Sequence, residues 1–147
     1  MAKMKKLEDL FHDTLKDVYF AEKKILASLP KMAKAAQHTG LKAAFEKHHG
    51  ETEGQIERLE QVFAEIEKKP QGKTCDAIVG IAKEGQEIME EYKGMPAHDA
   101  GLDFVAAVFR LRGRFRDFAA APLRTAVVFC AHPVGASVSP LLGRGVR

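Results

Sequence analysis

The chain has 147 residues, 46% of them hydrophobic and 29% charged, with 12 Gly, 6 Pro and no Trp. This suits a single domain with its own core and excludes collagen-like, disordered and purely coiled-coil classes. A net charge of +3 conceals a break: residues 1–94 hold all 15 Lys and all 13 Glu, whereas residues 95–147 hold neither but carry seven of the eight Arg.

Residues 1–6 are basic, but residues 7–22 are charged and amphipathic where a secretory signal would be apolar, so no signal is expected. A first helix is predicted over residues 5–36. Leu7, Leu10, Phe11, Leu15, Val18, Ile25, Leu26, Leu29, Met32 and Ala36 recur mostly at steps of three and four, as an amphipathic helix requires. The member that would complete the stripe between Val18 and Ile25 is Glu22. A carboxylate on a core face is costly unless it is paired, protonated or bound to a metal. Lys23, Lys24 or a nearby His offers the ordinary structural answer.

Gly40, after His38 and Thr39, reads as a left-handed cap ending this helix. A second helix is predicted over residues 41–68, stopped before Pro70. Its apolar stripe is Leu41, Ala44 and Phe45, then Leu59, Val62, Phe63 and Ile66. The gap is bridged at helical spacing by His48, by Glu51 or Thr52, and by Gln55. Each residue alone has a plain role: a satisfied core histidine, a rim charge, a packing amide. Two antiparallel helices on a short turn place their midpoints side by side. With Glu22 at the facing midpoint, the polar stretch points to an internal metal site.

A third helix is predicted over residues 74–92, with Thr74 as its N-cap. Ile78, Ile81, Ala82, Ile88, Met89 and Tyr92 share one face, and Glu84, Glu87, Glu90 and Glu91 mostly face solvent. Gly94, Met95 and Pro96 stop it. Asp99 reads as the cap of a fourth helix through Leu102, Val105, Ala106 and Phe109. The period dissolves after Phe118, so residues 1–118 read as a helical domain and residues 119–147 as an irregular tail. The uncharged run 125–143 barely reaches spanning length and is broken by His132, Pro133 and Pro140, so no membrane helix is expected. Cys75 and Cys130 form neither a disulfide framework nor a metal knuckle. A cytoplasmic protein is expected.

Four phrases carry a family resemblance: LFHDTLKDVYFAEKKILASL at residues 10–29, FEKHHGETEGQIERLEQVF at 45–63, KKPQGKTCDAI at 68–78, and MPAHDAGL at 95–102. Over about residues 7–102 the chain resembles the YciE/YciF family of ferritin-like bacterial stress proteins. The resemblance implies an all-α, ferritin-like four-helix bundle, with a small helix between the second and third long ones. It also implies a di-metal carboxylate site holding iron or manganese, ferroxidase-type activity, a homodimer and a role in stress. Ferritin-like sites draw one Glu from each of two helices and a Glu-x-x-His pair from each of the others. Here Glu22 matches the first-helix carboxylate and Glu51 the second, with Gln55 as a neutral ligand and His48 competing for that place. Glu84 is the weaker candidate, because its face is exposed.

The other half of such a site has no counterpart. After DAGL the family continues with an acid-bearing helix, whereas this chain has no Glu beyond that point. Lys and Glu make up 28 of the first 94 residues and none of the last 53, which points to a reading-frame change near Leu102–Val105. Arg110, Arg112, Arg114 and Arg116 then alternate with a period of two where a bundle wants 3.6. The expectation is at most one weakly held divalent metal. The alternative is a metal-free structural helical protein. A nucleic-acid binder using the Arg run is disfavoured, since the last 53 residues carry only +4 and no recognition motif.

Overall fold

The computed structural model describes residues 6–112, with side chains through Arg110. Four helices follow one another: α1 (Leu7–Ala35), α2 (Thr39–Glu65), α3 (Asp76–Glu91) and α4 (His98–Arg112). No strand occurs among the described residues, and none of their helices is long and apolar enough to cross a membrane. The chain is an all-α bundle. Arg114, Arg116 and the expected irregular tail lie outside the described residues.

At the start of α1, Asp9 accepts the Lys6 N–H at 2.9 Å, so an acid meets the free donors and positive dipole end of the first turn. The helix runs 29 residues, about 43 Å at 1.5 Å per residue. Pro30 lies inside it on the exposed side, where it gives no hydrogen bond to the preceding turn.

The turn into α2 is not built as the sequence suggested. Gly40 lies inside the first turn of α2 and its φ is not positive. The chain instead reverses through residues 36–38, with Ala36 and His38 in extended conformations that need no left-handed residue. His38 caps α2, its Nδ1 accepting the Gly40 N–H at 3.1 Å. Asp99 is likewise spent elsewhere than on its own helix. Its carboxylate accepts the backbone N–H of Gln37 at 2.9 Å and of His38 at 2.6 Å, pinning the start of α4 to the α1–α2 turn.

α2 stops three residues short of the predicted end because Glu67 adopts φ 56°, and the Lys68 N–H returns to the Phe63 carbonyl at 2.9 Å. Cys75 rather than Thr74 precedes α3. It gives no side-chain cap and is buried in the core, so apolar burial sets the boundary there. Gly94, at φ +77°, turns the chain toward α4. α4 buries Leu102, Val105, Ala106 and Phe109, the stripe predicted for the fourth helix. Arg110 and Arg112 accordingly stand on a helix, not in a period-two segment.

The apolar side chains fall into two clusters. One draws on all four helices and includes Ile25, Leu29, Met32, Phe45, Ile78, Leu102, Val105 and Phe109. The other is made by α1 and α2 alone: Leu15, Tyr19, Leu59 and Phe63. A polar layer separates them.

Candidate functional site

Along α1 the buried face reads Leu15, Tyr19, Glu22, Ile25 and Leu29; along α2 it reads Phe45, His48, Thr52, Leu59 and Phe63. Glu22, His48 and Thr52 are only 4%, 8% and 0% exposed. The antiparallel register is fixed at both ends. Tyr19 donates its hydroxyl to Glu60 at 2.7 Å and meets the Phe63 ring edge-on, while Ala33 and Lys42 line one groove near the turn. This register sets Glu22 level with Gln55 and Ile56 of α2, about one turn from Thr52.

Burial alone pushes the Glu22 carboxyl up from 4.5 to about 7. No hydrogen bond or ion pair reaches it from the described residues. Lys23 and Lys24 are exposed, and the Lys23 ammonium sits over the Tyr19 ring at 5.2 Å, so the simple pairing does not form. His48 is held below its ordinary value by burial and by the Arg110 guanidinium on α4, opposed by Glu51. Its Nδ1 and the Thr52 Oγ1 are both buried with no hydrogen-bond partner among the described residues. Each such orphan atom costs about 1–3 kcal/mol.

The four ligands expected from the sequence divide. Glu22 on α1 and His48 on α2 are both buried, and Gln55 is half-buried. Glu51 is not inside: its side chain is 43% exposed and faces Lys47 at 3.9 Å. Thr52 takes the inward place, and Arg110 joins the neighbourhood of His48 from α4. Glu84 is exposed, as its face predicted. Among the described residues no three His, Cys, Asp or Glu side chains gather closely enough to hold a metal. One buried carboxylate, one imidazole and one hydroxyl, with two orphan atoms, fit one side of a cation rather than a closed shell.

The family model described as a domain of unknown function, DUF892, matches residues 6–132. Protein YciF of Escherichia coli K12 is 39% identical over 100 residues, which cover 67% of this chain and 60% of YciF. The chain thus spans about three-fifths of the length of that curated relative. The crystal structure of the E. coli stress protein YciF superposes with a TM-score of 0.72 at 32% identity, covering 87% of this chain and 79% of that one. YcfI of Rhodopseudomonas palustris, put forward as a structural protein, superposes at 0.67 with 38% identity over 71% of this chain and 67% of its own. The family match runs some way beyond Leu102, where the recognisable phrases end.

Proposed function

This chain belongs to the DUF892 family and is similar to the stress protein YciF, and on that premise we propose that it is a ferritin-like stress protein carrying half of a carboxylate metal site. One observation carries the reading: a buried, unpaired Glu22 carboxylate on α1 and, on the facing helix α2, the buried orphan atoms of His48 and Thr52. Such a layer is costly to keep in a core unless it serves a ligand. Glu22 would supply the anionic oxygen and His48 the nitrogen, with Gln55 or Glu51 adding an oxygen from the edge. Oxygen donors with one imidazole suit iron or manganese. When bound, iron would supply one-electron chemistry toward oxygen or peroxide, the ferroxidase-type activity of the family resemblance.

The chain's own residues set the terms of binding. Glu22 has to release its proton to become a ligand, whereas burial and Arg110 favour the neutral, ligating form of His48. No Glu follows residue 94 to provide the remaining carboxylates. Two dications side by side would lack the anions that offset their charge, so the reading is one divalent ion, weakly held. A homodimer and a cytoplasmic location belong to the same proposal.

A metal-free structural role is the second reading. It is favoured by the likeness to YcfI and by the lack of a three-ligand cluster among the described residues. Metal analysis of the purified, dialysed chain, with Fe(II) oxidation assayed in parallel, separates the two. One weak Mn(II) or Fe(II) site, lost in Glu22→Gln, supports the metal reading. No binding at all supports the structural one. Two tightly held ions would mean that residues after Leu102 supply further ligands.

A further inference from the structure

Near its turn the α1–α2 hairpin carries a groove of about 450 Å³, lined by these two helices. Small-molecule sites occupy about 300–1,000 Å³. The buried side chains of Leu29 and Phe45 close the bottom, and Ala33 with the exposed Pro30 ring forms an apolar wall. Lys34 and Lys42 stand together at the turn end, because the antiparallel register sets them opposite each other. Glu46 lies one turn farther along α2, about 6 Å from Lys42 along the axis.

The charges at this rim behave unlike those elsewhere on the helices. Lys47–Glu51, His49–Glu53 and Lys83–Glu87 all close as pairs four residues apart. Lys42 and Glu46 share that spacing and order, yet no ion pair joins them. Lys34 likewise has no ion pair among the described residues. Residues 23–45 hold five Lys and neither Asp nor Glu, so the turn end of the groove is positive.

We propose that this groove binds a small anionic amphiphile, a monocarboxylate with an aliphatic chain, its head between Lys34 and Lys42 and its chain along the Pro30–Ala33 wall. The two ammonium groups attract the carboxylate as point charges, and apolar area removed from water supplies the rest. Glu46 repels a second anion at the far end, so a dicarboxylate fits less well. Glu22, His48, Glu51 and Gln55 are all absent from the lining, so this site and the metal half-site stand or fall separately.

The test is a decanoate titration of the isotope-labelled full chain, read from its backbone amide resonances. Shifts should centre on residues 29–34 and 42–49. Decanol lacks the charge and should bind about fivefold more weakly, and acetate, without the chain, more than about tenfold more weakly. Decanedioate should also bind more weakly than decanoate. Lys34→Gln and Lys42→Gln should each weaken decanoate about threefold, and Glu46→Gln should tighten it about twofold. Lys24→Gln makes the same change in net charge about 9 Å along α1 from Pro30 and should alter nothing. All four side chains are exposed, so each variant should keep the parent spectrum outside the groove. Absence of shifts in those two segments overturns the proposal. Equal binding of decanol and decanoate overturns it, as does equal binding of acetate. A loss in Lys24→Gln matching that in Lys34→Gln also overturns it, since net charge would then be the cause.

Discussion

Glu22 pulls stability and binding in opposite directions. Its carboxyl titrates near 7 in the folded chain against 4.5 in a free one, so the folded state binds the extra proton between those values. The sign follows: below about pH 4.5 the group costs nothing, and the penalty grows as pH rises, becoming complete above about 7. A gap of this size corresponds to about 3 kcal/mol. Glu22→Gln should therefore stabilise the protein by about 2–3 kcal/mol at pH 8 and hardly at all at pH 4, as urea unfolding at the two pH values would read. The same change should abolish Mn(II) binding. An unaltered stability at pH 8 would mean that the carboxylate has a partner. Glu22 was legible in the sequence because it interrupts an otherwise apolar stripe. The choice between Glu51 and Thr52 was not settled by the bridging pattern, although a signal existed. Thr52 lies seven residues from both Phe45 and Leu59, two helical turns from each, while Glu51 is displaced by one residue toward the rim.

Among the elements, the α3–α4 pair depends on small residues at two crossings. A Cβ on Gly101 would come within 2.8 Å of the Ile88 Cγ2, and one on Gly85 within 3.2 Å of the Val105 Cγ1. Both neighbours are β-branched and turn little at χ1. Gly101→Ala should cost about 1–3 kcal/mol in urea unfolding, more than Gly85→Ala. At Gly80, where nothing lies within 4 Å, the same substitution should be neutral or add up to about 1 kcal/mol through helix propensity. The Asp99 pin makes a separate prediction. The Gln37 backbone N–H, the His98 ring and the His38 N–H hold its carboxyl below its ordinary 3.8. Its contribution is thus present above that value and lost as pH falls through the lower folded one. Asp99→Ala should melt at a lower temperature than the parent near neutrality, with the difference narrowing as pH falls below 3.8. The helices themselves could be read from local periodicity to within a few residues. The turn could not, because its hydrogen bonds come from a residue about sixty positions away, and local capping rules offered Gly40 and a self-capping Asp99 instead.

At the scale of the molecule, the all-α class and the family were both legible, since each rests on dense patterns in the first two helices. What local patterns could not give is how far α4 accompanies the hairpin, which is set by the pin at its start. The division of the core follows from the polar layer and has a consequence for how the fold comes apart. Above the layer, four helices interlock; below it, the described side chains of α1 and α2 have mainly each other. The layer contributes little cohesion across that boundary, so the hairpin should open from its free end in a separate, cheaper event. Native-state amide hydrogen exchange should then run at least about tenfold faster in residues 10–19 and 56–65 than in residues 25–35 and 41–48. A bound divalent ion would tie the two ends together, and the gap in exchange should narrow when Mn(II) is added. The buried polar layer would then work as a joint whose stiffness depends on what occupies it, turning metal availability into the reach of a single local unfolding step.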